Sequence, residues 1–273
     1  MSLLTVLNYS GGQQSSAILW MVLLGEIEKP KHFLVLNADP GMENSRTYEY
    51  NKLMFSRCAE AGIEAVTVPG PNLYKDLLNH KTKSRLDNPP YWTKSPTGKK
   101  GRLLQKCTQT YKIAPMDRYI RKVLERDFEI SHKSKRLPKK CVQKWIGLAW
   151  DEVFRMSNPK QGYIEFVYPL IDMQLTREDT RKFFITRELP IPPRSVCNAC
   201  FANGLQTFFE MRRDRPDDWV QAVAVDKAVR NCKNLGIHDE VYVSSTLQPL
   251  LELDDLDTED KDNYSCDSGY CFT

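Results

Sequence analysis

Histidine is scarce in this chain of 273 residues: there are four, His32, His80, His132 and His238. They share no close spacing, which leaves neither a histidine-based metal site nor a Ser-His-Asp triad any support. Long apolar runs are missing too. The longest, residues 17–24, falls far short of the ~20 residues that a bilayer-spanning helix needs. No basic segment precedes it and no small-residue cleavage site follows, so no secretory leader and no membrane partner are expected, and the chain reads as cytoplasmic. No internal repeat is visible. What is there, 41% hydrophobic and 27% charged residues, is ordinary for a globular protein. The length suits one large domain or a domain with an appendage. In a reducing compartment the eight cysteines do not make a disulfide frame and are read as thiols, ligands or redox groups.

The most informative stretch follows an apolar strand candidate at residues 3–7 and reads Asn8-Tyr9-Ser10-Gly11-Gly12-Gln13-Gln14-Ser15-Ser16 before an apolar helix running to Leu24. A glycine-rich turn between strand and helix lets backbone N–H groups approach phosphate oxygens without Cβ interference, and the positive end of the helix then faces the anion. No Lys-Ser or Lys-Thr pair follows the glycines, which excludes a Walker A loop. The third glycine of a dinucleotide fingerprint is absent as well. By spacing alone a bare structural turn remains the alternative.

Strands are predicted near 3–8, 33–38, 64–68 and 145–149, alternating with helices near 14–25, 43–61, 113–127 and 176–187. That order predicts a doubly wound parallel α/β sheet with its ligand crevice at the carboxyl ends of the first strands. A further amphipathic helix is predicted at 217–234, with Trp219, Val220, Val223, Ala224 and Val229 on or near one face. Cys197 and Cys200 form a C-x-x-C in a Pro-rich connection. Alone it is compatible with a zinc knuckle, a redox pair or half of an iron–sulfur site. Cys58 and Cys232 fall in helical stretches and read as buried hydrophobes, and Cys141 as an incidental thiol.

The net charge of +4 is unevenly spread. From 75 to 144 basic residues outnumber acidic ones roughly three to one, whereas the last 25 residues are acidic. Lys94, Lys99, Lys100, Arg102 and Lys106 crowd a loop with Tyr91 and Trp92, and Lys133, Lys135, Arg136, Lys139 and Lys140 crowd another. Basic loops beside aromatics suit phosphate contact and base stacking, hence a nucleic-acid partner. The alternative is a solvated surface with an anionic small-molecule site.

The loop at 10–15 resembles the PP-loop of the adenine-nucleotide α-hydrolase superfamily, which includes ATP pyrophosphatases, sulfonucleotide reductases and the ATPases of DNA phosphorothioation. Asp39-Pro40-Gly41-Met42-Glu43 is similar to the Asp-Thr-Gly segment of the reductases. Trp145-Ile146-Gly147-Leu148-Ala149 with Asp151, Glu152 and Arg155 resembles their Gly…Glu…Arg stretch. Tyr168-Pro169-Leu170, Leu175-Thr176-Arg177-Glu178-Asp179 and Leu189-Pro190 match the pattern that follows it. The resemblance spans about residues 3–205 and implies that Ser10, Gly11, Gly12, Gln13, Gln14 and Ser15 hold the phosphates of ATP or a related adenine nucleotide. It also places Asp39, Gly147 and Arg155 beside that nucleotide. Many ATP pyrophosphatases carry Asp where this chain has Gln14, which removes one group that would order Mg²⁺.

Cys107-Thr108-Gln109-Thr110-Tyr111-Lys112, with Pro115 beyond, is similar to the Cys-Cys-x-x-Arg-Lys…Pro segment of the cluster-bearing reductases. The resemblance makes Cys107, Cys197 and Cys200 three ligands of a [4Fe–4S] cluster, with Thr108 where the fourth would stand. Either Cys266 or Cys271 completes the set, or one iron stays open, as in certain PP-loop tRNA-thiolating enzymes whose open iron holds sulfide. A single zinc is the alternative. Lys112 matches the family lysine that lies near cluster and nucleotide; without the resemblance it reads as a surface residue. The reductases end in a tail with a nucleophilic cysteine, a role that Cys266 or Cys271 would fill. The expected organisation is a nucleotide-binding domain over 1–205, a helical extension over 206–248 and an acidic tail with a C-x₄-C over 249–273. Three functions follow. One is adenylation of a nucleic acid, tRNA or DNA, for iron–sulfur-assisted sulfur transfer from a sulfur donor. The second is reduction of adenylyl sulfate or phosphoadenylyl sulfate with a reductant. The third is a non-catalytic nucleotide- and DNA-binding component of a modification or defence system.

Overall fold

A computed structural model describes residues 2–79, 89–130 and 137–254. Five strands, β1 (Leu4–Asn8), β2 (Phe33–Ala38), β3 (Glu64–Val68), β6 (Val142–Ile146) and β7 (Ile164–Val167), form one sheet in the order β3-β2-β1-β6-β7. Every neighbouring pair is parallel. Helices α1 (Gln13–Leu23), α2 (Ser45–Glu60), α4 (Ala114–Phe128) and α6 (Arg177–Thr186) cover it, with the single turn α5 (Pro169–Asp172) between β7 and α6. Side chains that alternate along the strands build a core on each face. Leu7, Val35 and Trp145 pack with Met54 and Cys58 of α2 and Phe183 and Phe184 of α6. Val6, Leu34, Leu36 and Val142 pack with Met116, Ile120 and Val123 of α4. The doubly wound α/β architecture is therefore the expected one. Its strand order reverses between β1 and β6, and such a switch point opens a crevice beyond the strand ends. No helix among the described residues is long and apolar enough to cross a membrane.

Several sequence expectations are corrected. The late strand is 142–146 rather than 145–149, because Gly147 leaves the sheet to approach α1, and β7 was not predicted. The basic loop around Lys94 is a hairpin, β4 (Trp92–Lys94) with β5 (Lys100–Arg102), and β8 (Glu240–Tyr242) pairs with β4 to make a second, antiparallel sheet. Residues 206–248 thus supply a strand as well as α7 (Leu205–Asp214) and α8 (Pro216–Val229). The buried face of α8 is Asp218, Ala222, Val225, Asp226 and Val229, while Val220 is 65% exposed. These elements and α3 (Leu73–Leu78) enclose a third core that contains Tyr91, Phe208, Val225, Cys197 and Cys200.

Cys58 and Cys232 are fully buried, and desolvation pushes both thiols up to about 11. The folded chain keeps these protons after the unfolded chain has lost them. Stability is therefore whole below about pH 9 and falls as pH climbs towards 11. Urea unfolding at a series of alkaline pH values should show this decline. Cys58→Ala should give a shallower one, even from a lower starting stability; an unchanged slope would refute the assignment.

Candidate nucleotide and cysteine site

The turn after β1 is built from its serines and glycines. Ser10 Oγ lies 3.1 Å from Ser15 Oγ and accepts from Gly12 N at 3.2 Å. Gly11 has φ +81, and a Cβ there would meet Asn51 Oδ1 at 2.3 Å. Glycine is therefore required by both conformation and space. Helix α1 starts at Gln13 with no side-chain cap at Gly12 and no acidic residue in its first turn. Its N-terminus thus presents positive partial charge without a competing carboxylate, as an anion site needs. The β6 loop comes so close that a Cβ on Gly147 would stand 2.8 Å from Ser15 N. Gln13 anchors the turn from behind, its Nε2 donating to Arg177 O at 2.8 Å and Thr180 Oγ1 at 2.7 Å.

Gln14 donates to the buried Glu152 carboxylate, which also pairs with Arg155 and, at 2.8 Å, with Arg177. The carboxylate that Gln14 touches is thus neutralised by two guanidiniums, so this network presents no free carboxylate to Mg²⁺. Arg155 is held here with 7% of its side chain exposed. Asp39 Oδ1 accepts from Gly41 N and Tyr48 Oη, both at 2.7 Å, and so shapes its own loop.

The other half of the site lies across that loop. Cys107, Thr108, Lys112, Cys197, Cys200 and Phe201 line one small cavity, of about 30 Å³, with Met42 and Tyr111. Cys107 immediately precedes a π-helical turn, Thr108–Ile113, which runs into α4. Pro115 has no N–H for an i→i−4 bond, a local reason for the widened turn, which carries Lys112 inward. Lys112 is 8% exposed, so the surface reading is corrected. The C-x-x-C stretch docks against the β2 loop: Asn198 N donates to Met42 O at 2.8 Å, Asn44 N to Val196 O at 3.2 Å. Asn203 Nδ2 closes the cysteine turn on Cys197 O at 3.1 Å.

One buried carboxylate that no motif marks out joins the two halves. Glu43 Oε1 is 3.5 Å from Lys112 Nζ, and its Oε2 accepts from Cys197 Sγ at 3.8 Å. Ser195 Oγ lies 3.3 Å from Glu43 Oε1 and 2.8 Å from the Ser10 carbonyl, sharing its proton between them. Glu43 closes the Asp39 segment, and Ser195 stands two residues before the C-x-x-C. Neither position carries a spacing that announces its partner. Burial alone disfavours charge on Lys112, yet Glu43 and the three thiols outweigh it and hold the ammonium above its ordinary value. Desolvation pushes Cys107 up, Cys197 well up and Cys200 to about 12, so without a bound cation the thiols stay protonated.

Three soft donors on one cavity, backed by a buried ammonium, are the donor type that an iron–sulfur cluster takes. Among the described residues no three His, Cys, Asp or Glu side chains stand close enough to hold a single metal ion. Cys266 and Cys271 lie outside the described residues, as do His80, His132, Lys133, Lys135 and Arg136.

No family model matches the chain, and neither does any curated protein. Among solved structures it is similar to the U34-tRNA thiolase NcsA from Methanococcus maripaludis with its [4Fe–4S] cluster. The identity is 13% over 83% of this chain and 72% of that one, with a TM-score of 0.36. A likeness this loose leaves the functional assignment to the chain's own residues.

Proposed function

We propose that this chain is a PP-loop enzyme that binds ATP or a related adenine nucleotide and adenylates an oxygen of a nucleic acid, tRNA or DNA, which sulfur then replaces. The observation that supports this reading most is the wall that the two halves share: Ser10, Ser195, Glu43, Lys112 and Cys197 form one chain of contacts. A helix end suited to phosphates and a thiol-lined cavity that share buried side chains suit one reaction in two steps. In the first, the acceptor oxygen attacks the α-phosphorus and pyrophosphate leaves. The backbone N–H groups at 10–15 and the α1 terminus orient the phosphates and offset the charge that builds on them. In the second, a sulfide attacks the activated carbon, its proton is lost, and the acceptor's oxygen departs on AMP. A [4Fe–4S] cluster held by Cys107, Cys197 and Cys200 would supply an iron site for sulfur at this end. Lys112 offsets the negative charge of thiolates there and lies within reach of the Glu43 carboxylate.

The test is ATP–pyrophosphate exchange by anaerobically prepared protein, with bulk tRNA or single-stranded DNA as acceptor. Exchange stimulated by one acceptor is expected, with thiolated product on adding sulfide. Release of sulfite from adenylyl sulfate, without acceptor-dependent exchange, would replace this reading with sulfonucleotide reduction. Nucleotide binding with neither activity would leave a non-catalytic binding component.

A further inference from the structure

The β4–β5 hairpin stands at the rim of the cysteine cavity. Tyr91, just before β4, is fully buried and its hydroxyl donates to Ala199 O at 2.9 Å, so it does not stack bases as its place in the sequence suggested. Trp92 Nε1 donates to Phe201 O at 3.4 Å, and Phe201 lines the cavity. Lys100 Nζ sits 4.4 Å from the Trp92 ring centroid, and the Arg102 guanidinium lies 5.8 Å from Trp92 and 5.5 Å from Phe201. Among the described residues no carboxylate is ion-paired with Lys94, Lys99, Lys100 or Arg102. On α2, α4 and α6, by contrast, Arg57, Arg126 and Arg181 all have acidic partners. Glu240, opposite Lys94 in register, is engaged by the Tyr242 hydroxyl at 2.8 Å. Lys100 and Arg102 are thus held by aromatic faces, Lys100 Nζ also donating to Ser245 O at 2.6 Å, and no carboxylate in these contacts cancels their charge toward an external anion.

We infer that this hairpin is the platform on which a single-stranded nucleic acid lies, presenting the acceptor to the cavity. The inference rests on the nucleic-acid acceptor proposed above. Residues two apart on a strand repeat at about 6.7 Å, close to the separation of successive phosphates along one nucleic-acid strand. Lys100 and Arg102 therefore meet neighbouring phosphates, with Lys99 at the turn meeting another. The strip continues past β4, where Lys94, Arg230, Lys233 and His238 border a groove of about 470 Å³ together with Asp239 and Glu240. Arg102 links the strip to the cavity because it touches both Trp92 and Phe201.

The experiment is fluorescence anisotropy of labelled single-stranded RNA and DNA of mixed sequence with the full chain, over a range of salt. Lys99→Ala/Lys100→Ala/Arg102→Ala should weaken binding by about tenfold or more and flatten the slope of log K against log salt by about 2, three lost contacts at ~0.7 each. Lys99→Glu alone, a change at the exposed turn that leaves the aromatic contacts intact, should weaken it by about threefold. Arg181→Ala/Lys182→Ala on α6 serves as the control and should bind as wild type does. The RNA and DNA arms identify the preferred sugar, and tighter binding of either supports the platform. Hairpin variants that keep wild-type affinity and slope, with acceptor-stimulated exchange intact, would overturn the platform and leave the proposed function standing. A wild-type protein that binds ATP but neither oligonucleotide at low salt would overturn both.

Discussion

Serine in place of Cys197 should give a folded protein that carries no iron. Cys197 is 8% exposed, and its backbone belongs to a bridge with Glu43 that a serine preserves. The hydroxyl is isosteric enough to keep the Glu43 contact, so circular dichroism should be unchanged. A serine hydroxyl is a hard, weakly acidic donor, whereas an iron–sulfur cluster needs thiolates. Anaerobically purified wild type is expected to hold about four irons with matching sulfide and a broad visible absorbance. Cys107→Ser, Cys197→Ser and Cys200→Ser should each reduce all three to background. Cys58→Ser and Cys232→Ser, which alter thiols buried away from that cavity, should leave metal content untouched. Loss of iron only in Cys266 or Cys271 variants would sink the assignment, as would about one zinc and no sulfide in the wild type.

The protonated thiols of the metal-free chain bear on how such a site would load. Cys200 is pushed up to about 12 by burial, and the neighbouring thiols rise for the same reason. Each ligand must release a proton as metal binds, so loading should be favoured by raising pH through the neutral range. Glu43 opposes a thiolate at Cys197, and Lys112 counters it. The pair therefore sets the local charge to nearly zero before any metal is present.

The sheet was legible because its signals are local. Each of β1, β2 and β3 is a short apolar or alternating run followed by a helix with its own punctuation, and their boundaries differ from expectation by about one residue. The β6 strand was placed three residues late because Leu148 and Ala149 continue the apolar run. Gly147 ends the strand for a reason outside its own segment, the Ser15 backbone it faces. The hairpin is hidden in the sequence because Lys94, Lys99, Lys100 and Arg102 read as a basic loop, suited to nucleic acid or to solvent. What makes it a strand pair is Trp92 opposite Tyr242, a partner about 150 residues away. Within the candidate site, the glycine-serine turn and the three cysteines of the cavity are visible in composition and order. Glu43 and Ser195 were not, since a carboxylate and a hydroxyl become informative only once the fold sets them between Lys112, Cys197 and Ser10. Val220 shows the converse error: an apolar residue in an apolar helix was assigned to the buried face, whereas Asp218 and Asp226 occupy it to serve Ser45, Val243 and Leu250.

Glu43→Gln should cost the metal-free protein about 3–5 kcal/mol, the range for breaking a buried ion pair by removing one partner. The side chains of Lys112 and Glu43 are 10% and 7% exposed and 3.5 Å apart. Glutamine fills the same space and keeps an acceptor for Ser195, so packing is not what is lost. The loss is the countercharge: Lys112 must then either remain charged among neutral thiols or give up its proton in a cavity that water barely reaches. Removing both charges in Glu43→Gln/Lys112→Met should restore most of the stability, because two neutral side chains of similar volume carry no desolvation penalty. The double-mutant cycle in urea therefore has a predicted sign and size. A single variant within about 0.5 kcal/mol of wild type, or a double variant no better than Glu43→Gln, would show that the pair is not what holds this wall. The pH dependence follows from the raised Lys112. Its contribution is complete below the ordinary lysine range and is lost only as pH rises through the higher value it has in the fold. The deficit of Glu43→Gln should accordingly stay flat from about pH 6 to 9. The alkaline decline from the raised thiols, Cys58 and Cys232 and the cavity cysteines alike, begins only at the top of that window and leaves the flat range below it free to report the pair.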